Sequence, residues 1–319
     1  MKTLLKPERL CFGDTVGIIA PASAPPDPRA VDRAAEAVER FGFKPKLGKQ
    51  VRARHGFLAG GDRERAADLM AMFADKKVKA LLCLRGGYGT ARILNRLDYG
   101  FLRRHPKILA GYSDITSLHC ALATQAGLVS FHAPMLNGAL ADKQLPEFTR
   151  RAFLAALMEA RPAGSLVAGC PEKNAVVLRA GVATGRLVGG NLSVLCTTLG
   201  TPFQPQFRHR ILFIEDIGEK PYRLDRLLTH LGNAGVLCQV AGVAVGVNRD
   251  CEDPKDKAAG EYRQSADDVL AERLRSLGVP VVTGLPFGHV ELNATLPFGV
   301  RARLDARRGD LIITEAAVR

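Results

Sequence analysis

KILAGYSDIT, residues 107–116, is the stretch that decides how this chain is read. Lys107–Tyr112 is a short, continuous apolar run, the pattern of a strand buried on both faces. From Asp114 to Gln125 the pattern is helical. Ser113 therefore stands on the turn between a buried strand and a helix. The alternation continues in both directions. Upstream, TVGIIA (15–20) is a buried strand, and Asp27-Pro28 opens a helix with Val31, Ala34, Ala35, Val38 and Phe41 on one face. A second helix follows Gly60-Gly61-Asp62, with Ala66, Leu69, Met70 and Phe73 at helical spacing. ALLCL (80–84) is a strand ending in Arg85-Gly86-Gly87-Tyr88-Gly89. Downstream, Leu128–Phe131 is another strand. Such alternation predicts an α/β fold whose N-terminal domain is a doubly wound parallel sheet, with ligands outside the carboxyl ends of its strands.

Composition shifts near residue 160. Ala160–Asn174 is rich in Pro, Gly and small residues and has no period, which predicts a linker over 159–178 between an N-terminal domain, 1–158, and a C-terminal mixed α/β domain, 179–319. In the second block, Gly185–Gly190 leads into a helix near Asn191. Ile211–Ile214 is a strand ending in Glu215-Asp216, Tyr222–Leu231 is a helix, and Val240–Val247 is a strand. Ala266–Leu277 is a helix, and Val279–Gly284 is a strand entering the loop Leu285-Pro286-Phe287-Gly288-His289. Val300–Thr314 alternates around Arg308-Gly309-Asp310 as a hairpin.

The 319 residues are 47% hydrophobic and 24% charged, ordinary for a globular protein. The longest apolar stretch, Val240–Val247, is far short of the ~20 residues of a membrane span. MKTLLKPERLCFGDTV lacks the apolar core of a signal peptide, so the expected location is the cytoplasm with no membrane partner. Seven cysteines without a C-x-x-C pair predict reduced thiols, and no metal or cofactor is expected. The net charge is +13, but the basic residues are scattered and aromatics are only 6%, with no Trp. That argues against a base-stacking nucleic-acid surface, so no nucleic-acid partner is expected, and suits capture of a small anionic substrate.

A serine on a strand-to-helix turn has its oxygen lifted from the sheet, with the first helical N–H groups aimed at whatever it attacks. The spacing is not G-x-S-x-G, since Ile115 replaces the second Gly, and Ser113 could instead cap the helix. A serine nucleophile needs a base and an orienting acid. His289, in a Gly/Pro-rich loop past a strand, and His132, also just past a strand, are the two candidate bases. Glu215 and Asp216 both end a buried strand, and either could be the acid. The glycine turn 85–89 lacks the G-K-[ST] of a nucleotide-binding loop, and its better use is to supply an oxyanion N–H. A rival reading is a non-catalytic binder of an anionic ligand at this turn.

Taken in order, Arg85–Gly89, Gly111–Thr116, Gly189-Gly190-Asn191-Leu192, Ile214-Glu215-Asp216 with Tyr222–Arg226, and Pro286–His289 with Asn293–Pro297 resemble the signature blocks of the LD-carboxypeptidases. These serine peptidases include muramoyltetrapeptide carboxypeptidases and microcin C immunity peptidases. The resemblance implies a triad of Ser113, Glu215 and His289, no metal, a homodimer, and a small peptide substrate such as a murein tetrapeptide. Backbone N–H groups of Gly87 and Asp114 are then the expected oxyanion donors. Arg85 and Arg223, within the blocks, are expected to bind the substrate's terminal carboxylate. Ala133 departs from the family pattern, as does Glu291-Leu292, and neither touches the triad. The lack of Trp disfavours the microcin branch with its aromatic nucleotide platform.

Overall fold

The computed structural model describes residues 4–253 and 264–319. The first half supplies five strands, β1 (Thr15–Ile19), β2 (Lys44–Leu47), β3 (Val78–Cys83), β4 (Ile108–Gly111) and β5 (Ser130–His132). The middle supplies β6 (Gly164–Ser165), β7 (Val176–Arg179), β8 (Val182–Asn191), β9 (Arg210–Glu215), β10 (Gly242–Val245) and β11 (Val281–Thr283). The chain ends with β12 (Leu296–Phe298), β13 (Arg301–Asp305) and β14 (Asp310–Ile313). Its helices are α1 (Ala30–Arg40), α2 (Asp62–Ala74), α3 (Tyr99–Arg104), α4 (Thr116–Ala121), α5 (Glu147–Met158), α6 (Leu192–Cys196), α7 (Pro221–Asn233) and α8 (Ala266–Leu274).

Two sheets result. The first has the order β12-β5-β4-β3-β1-β2, parallel throughout except for β12. The second has the order β6-β14-β13-β8-β9-β10-β11-β7, with β8 to β11 parallel and both flanks antiparallel. Strands β1, β3 and β4 are almost wholly buried, as continuous apolar runs require when helices cover both faces. Each fully buried Val, Ile or Leu there contributes roughly 1.5–3 kcal/mol.

The α/β class and the two-part architecture agree with the sequence reading, and the β13–β14 hairpin turns where Arg308-Gly309-Asp310 predicts. Other details differ. The stretch 159–178 is built into the second sheet, because Gly164–Ser165 pairs with β14 and Val176–Arg179 pairs with β11. Strand β12 crosses to the first sheet and pairs antiparallel with β5, so the two halves are stitched together. Its Pro297 is tolerated because β12 is an edge strand. Helix α1 begins at Ala30 rather than at Asp27-Pro28. The segment after Ser113 opens with a tight 3-10 turn, Ser113–Ile115, before α4 begins. No helix among the described residues is long and apolar enough to cross a membrane. All seven cysteines are free thiols, five of them buried.

Candidate active site

The carboxyl ends of β4, β8 and β9 and the loop after β11 converge on one place. At the end of β4, Tyr112 is extended and Ser113 turns to a φ of 62°, a left-handed conformation that a non-glycine residue rarely holds. Such a residue costs on the order of 1–3 kcal/mol and persists only where the surroundings enforce it. The enforcement is visible. The Asp114 carboxylate Oδ2 accepts from Thr90 N and from Thr90 Oγ1, both at 2.8 Å. The Asp114 carbonyl accepts from Ser117 Oγ at 3.0 Å. The glycine turn, which ends at Thr90, is thereby tied to the turn that carries Ser113. A Cβ built on Gly86 would lie 3.2 Å from both Ser113 Oγ and Asp114 N, so the glycine backbone faces the serine side chain. Ser113 is the first residue of the 3-10 turn, and the N-cap positions of that turn and of α4 fall on Tyr112 and Ile115, so Ser113 is not the helix cap.

Glu215 ends β9 with 0% of its side chain exposed. Its Oε2 lies 2.7 Å from His289 Nδ1. A carboxylate oxygen accepts, so Nδ1 carries the proton and Nε2 is left with a free lone pair. The approach needs Gly288, because a Cβ there would sit 3.0 Å from Glu215 Oε2 and Cβ, and Gly288 itself holds φ 113°. The loop is fixed by Asn293, whose Nδ2 donates to Gly288 O at 2.7 Å, and by Arg249, whose Nη1 donates to His289 O at 3.2 Å. The Tyr112 ring centroid is 4.5 Å from the His289 imidazole, which brings the neighbour of Ser113 against that ring. Burial and the nearby Glu215 charge push the Tyr112 phenol up to about 12, so it stays neutral.

Asp216 points to the other side of its strand, as alternation requires. It accepts from Asn191 Nδ2 (2.8 Å), Ser193 N (2.8 Å) and Ile217 N (2.9 Å), and so organises the entry into α6 rather than the imidazole. Burial raises its carboxyl to about 6 in spite of these donors. His132 lies fully buried among the rings of Tyr112, Phe213 and Phe287, and neither ring nitrogen has a hydrogen-bond partner among the described residues. Burial holds it neutral, and it is sealed from any substrate. His119 is also buried, between Gly111 O and Ser130 Oγ, each at 2.8 Å.

The expected binding residues are placed unevenly. Gly87 is exposed at φ 94°, where a Cβ would strike Ser23 Oγ at 2.6 Å. Arg85 lies alongside it, with Nη1 donating to Ala24 O at 3.0 Å. Arg223 sits on the first turn of α7, exposed, beside Tyr222 Oη and 3.7 Å from Glu219. Neither a hydrogen bond nor an ion pair joins Arg223 to Ser113, Glu215 or His289 among the described residues. Residues that sequence reasoning passes over include Tyr112 as the ring against His289, and Thr116, whose Oγ1 accepts from Asn191 N at 3.0 Å and ties the two halves together. No group of three or more His, Cys, Asp or Glu side chains among the described residues is arranged to hold a metal ion.

Residues 16–133 match the LD-carboxypeptidase N-terminal domain, and residues 184–304 match the LD-carboxypeptidase C-terminal domain. A relative named "Probable murein peptide carboxypeptidase" from Bacillus subtilis (strain 168) is 42% identical, over 98% of this chain and 95% of its own. A solved muramoyltetrapeptide carboxypeptidase from Oxalobacter formigenes superposes with a TM-score of 0.81 at 32% identity, over 94% of this chain and 99% of that one. MccF in complex with glutamyl sulfamoyl guanosine superposes with a TM-score of 0.87 at 27% identity, over 99% of this chain and 100% of that one. With a relative so similar over nearly its whole length, and both domains matched in order, this chain belongs to the LD-carboxypeptidase family of serine carboxypeptidases.

Proposed function

We propose that this chain hydrolyses the L-to-D amide that holds the terminal D-Ala of murein tetrapeptides, with Ser113 as nucleophile, His289 as general base and Glu215 as the orienting acid. The observation that carries this reading is the 2.7 Å bond between His289 Nδ1 and the buried Glu215 Oε2, formed where the backbone is forced to φ 62° at Ser113. In the first step Ser113 Oγ bonds to the amide carbonyl carbon and its proton passes to His289 Nε2. The imidazolium is stabilised by Glu215 through Nδ1–H. The N–H groups of Gly87 and Asp114 receive the developing oxyanion, since the first N–H groups of a helical turn have no intrahelical acceptor. The C–N bond breaks as His289 returns the proton to the leaving amine, and D-Ala departs. Water, activated by the same imidazole, then cleaves the acyl-serine ester and releases the tripeptide.

Recognition of the free terminal carboxylate falls to Arg85, which lies beside Gly87, in preference to Arg223, which pairs with Glu219. A cavity of about 700 Å³ opens next to the base, with Lys173, Arg249, Val290, Glu291 and Arg308 in its walls, and offers room for the acyl side of the peptide. The seven free thiols suit action in the reducing cytoplasm, in recycling of murein peptides. The likeness to MccF favours a second reading, cleavage of a peptidyl-nucleotide antibiotic, which the absence of Trp in this chain weakens. Assaying a murein tetrapeptide beside a peptidyl sulfamoyl nucleotide separates them. D-Ala release with a kcat/KM at least tenfold above that for the nucleotide substrate supports the first reading, and the reverse order replaces it with the second.

A further inference from the structure

Arg65 is an arginine on the apolar face of its helix. It lies on α2, one turn from Leu69 and two from Met72, and its side chain is 0% exposed. Its guanidinium donates to three backbone carbonyls from three separate segments. Nη1 donates to Gly89 O at 2.9 Å and also to Pro21 O, and Nε donates to Gly60 O at 3.3 Å. Nη2 pairs with Asp62 Oδ1 at 2.5 Å. Pro21 belongs to the loop after β1, Gly60 to the turn that enters α2, and Gly89 to the end of the glycine turn after β3. These segments also hold one another. Ser23 N donates to Gly86 O at 3.2 Å, Tyr88 N donates to Ser23 Oγ at 3.0 Å, and Ala59 N donates to Ala22 O at 3.0 Å. The far end of the glycine turn is clamped to the nucleophile turn through Thr90 and Asp114.

A buried guanidinium is a poor way to gain stability, because desolvation offsets most of its attraction and a well-packed apolar side chain does as well. Its planar fork, however, can hold several carbonyls in one fixed geometry, which neither a leucine nor a point-charge ammonium can do. What it fixes here is the turn that carries Gly87. Gly87 is exposed, cannot accept a Cβ without striking Ser23, and has no packed side chain of its own to hold it. We propose that Arg65 is a positioning residue for the reaction: by gripping Pro21, Gly60 and Gly89 it holds the glycine turn so that Gly87 N–H meets the oxyanion formed at Ser113. Arg65 touches no substrate, and its role rests on the hydrolytic reading above.

The effect follows from geometry. Misplacing a group in a catalytic constellation by about 1 Å costs ~10²-fold, and removing one oxyanion donor costs ~10²–10³-fold in kcat. Arg65→Lys keeps the charge and loses the fork, and Arg65→Gln loses both. Each is purified, checked by circular dichroism, and assayed for D-Ala release together with amide hydrogen exchange of the peptide spanning residues 85–90. The expected result for Arg65→Lys is a fall in kcat of about 10–100-fold with KM within threefold of wild type. The pH dependence of kcat/KM should be unmoved, because His289 is untouched. Exchange at 85–90 should quicken while β1, β3 and β4 stay protected. A folded Arg65→Lys with kcat within twofold of wild type overturns the proposal, and so does a loss of kcat with exchange at 85–90 unchanged. Failure of both variants to fold would make Arg65 a stability residue and also overturn it. If wild type itself releases no D-Ala, the hydrolytic reading fails, while the exchange data still report whether Arg65 holds the turn.

Discussion

Replacing Glu215 by Gln keeps the shape of a side chain that is wholly buried against Gly288 and changes only its chemistry. A carboxylate oxygen 2.7 Å from His289 Nδ1 can only accept, which places the proton on Nδ1 and leaves Nε2 free to accept the proton of Ser113 in the proposed reaction. An amide has two faces. With its oxygen toward Nδ1 it gives a neutral hydrogen bond about half as strong as the charge-assisted one, and the imidazolium formed in the reaction loses its counter-charge. With its nitrogen toward Nδ1 it forces the wrong tautomer, and Nε2–H then points at the nucleophile. The second face is open to it, because the other oxygen of Glu215 has no hydrogen-bond partner among the described residues that would lock the amide. Loss of the orienting acid in a serine triad costs ~10⁴ in kcat, about 5.5 kcal/mol at 1.36 kcal/mol per decade. Asp216→Asn gives the contrast. It places an amide among three donors and should lower stability by ~1–3 kcal/mol, with kcat within tenfold of wild type. The assay is steady-state release of D-Ala, with folding checked by circular dichroism and urea midpoints. Glu215→Gln retaining more than a tenth of wild-type kcat while Asp216→Asn is inactive would refute the reasoning and make Asp216 the acid.

A tetrapeptide with an amidated C-terminus should have a kcat/KM at least tenfold below that of the free acid, and Arg85→Lys should narrow the gap while Arg223→Lys leaves it intact; equal values for acid and amide in wild type would remove the carboxylate clamp. His119 is held down to about 4 by burial, against an ordinary value of 6.5, with Nε2–H donating to Gly111 O and Nδ1 accepting from Ser130. The unfolded chain then binds the extra proton first, so this stability is complete above pH 6.5, is lost progressively as pH falls from 6.5 to 4, and amounts in total to ~3 kcal/mol at 1.36 kcal/mol per unit. His119→Gln should make that acid limb shallower without removing it, since burial also holds His132 well below its ordinary value; urea midpoints measured from pH 7 to 4 check this, and an unchanged limb would contradict it.

The strand–turn–helix at Ser113 was legible because the apolar run before it and the helical period after it are local signals, and local signals fix where a side chain is lifted from a sheet. Glu215 and Asp216 could be told apart as pointing to opposite faces, but not which face met the base, since that depends on a loop 74 residues away. His289 and His132 follow strands equally well. Only packing shows that one is open beside Tyr112 and the other sealed among aromatic rings. Strand β12 was hidden because three residues containing Pro297 carry no period, and its partner β5 lies in the other half of the chain. The edge strands inside 159–178 were hidden for a like reason, as β6 is only two residues long. Arg65 did leave a signal, a cation at the i position of an apolar stripe that continues at Leu69 and Met72, though its three carbonyl partners come from segments that only the fold assembles.

If Ser113 Oγ forms the bond to the substrate carbonyl, the kcat of Ser113→Ala for D-Ala release shows it. Loss of the nucleophile in a serine triad costs on the order of 10⁶ in kcat. Relief of the strained φ of 62° is not expected, since alanine has the same backbone preference, so the variant should fold and melt close to wild type. The expected result is a folded protein with D-Ala release at the level of the blank. A pure, folded Ser113→Ala that keeps more than a few per cent of wild-type kcat would contradict it.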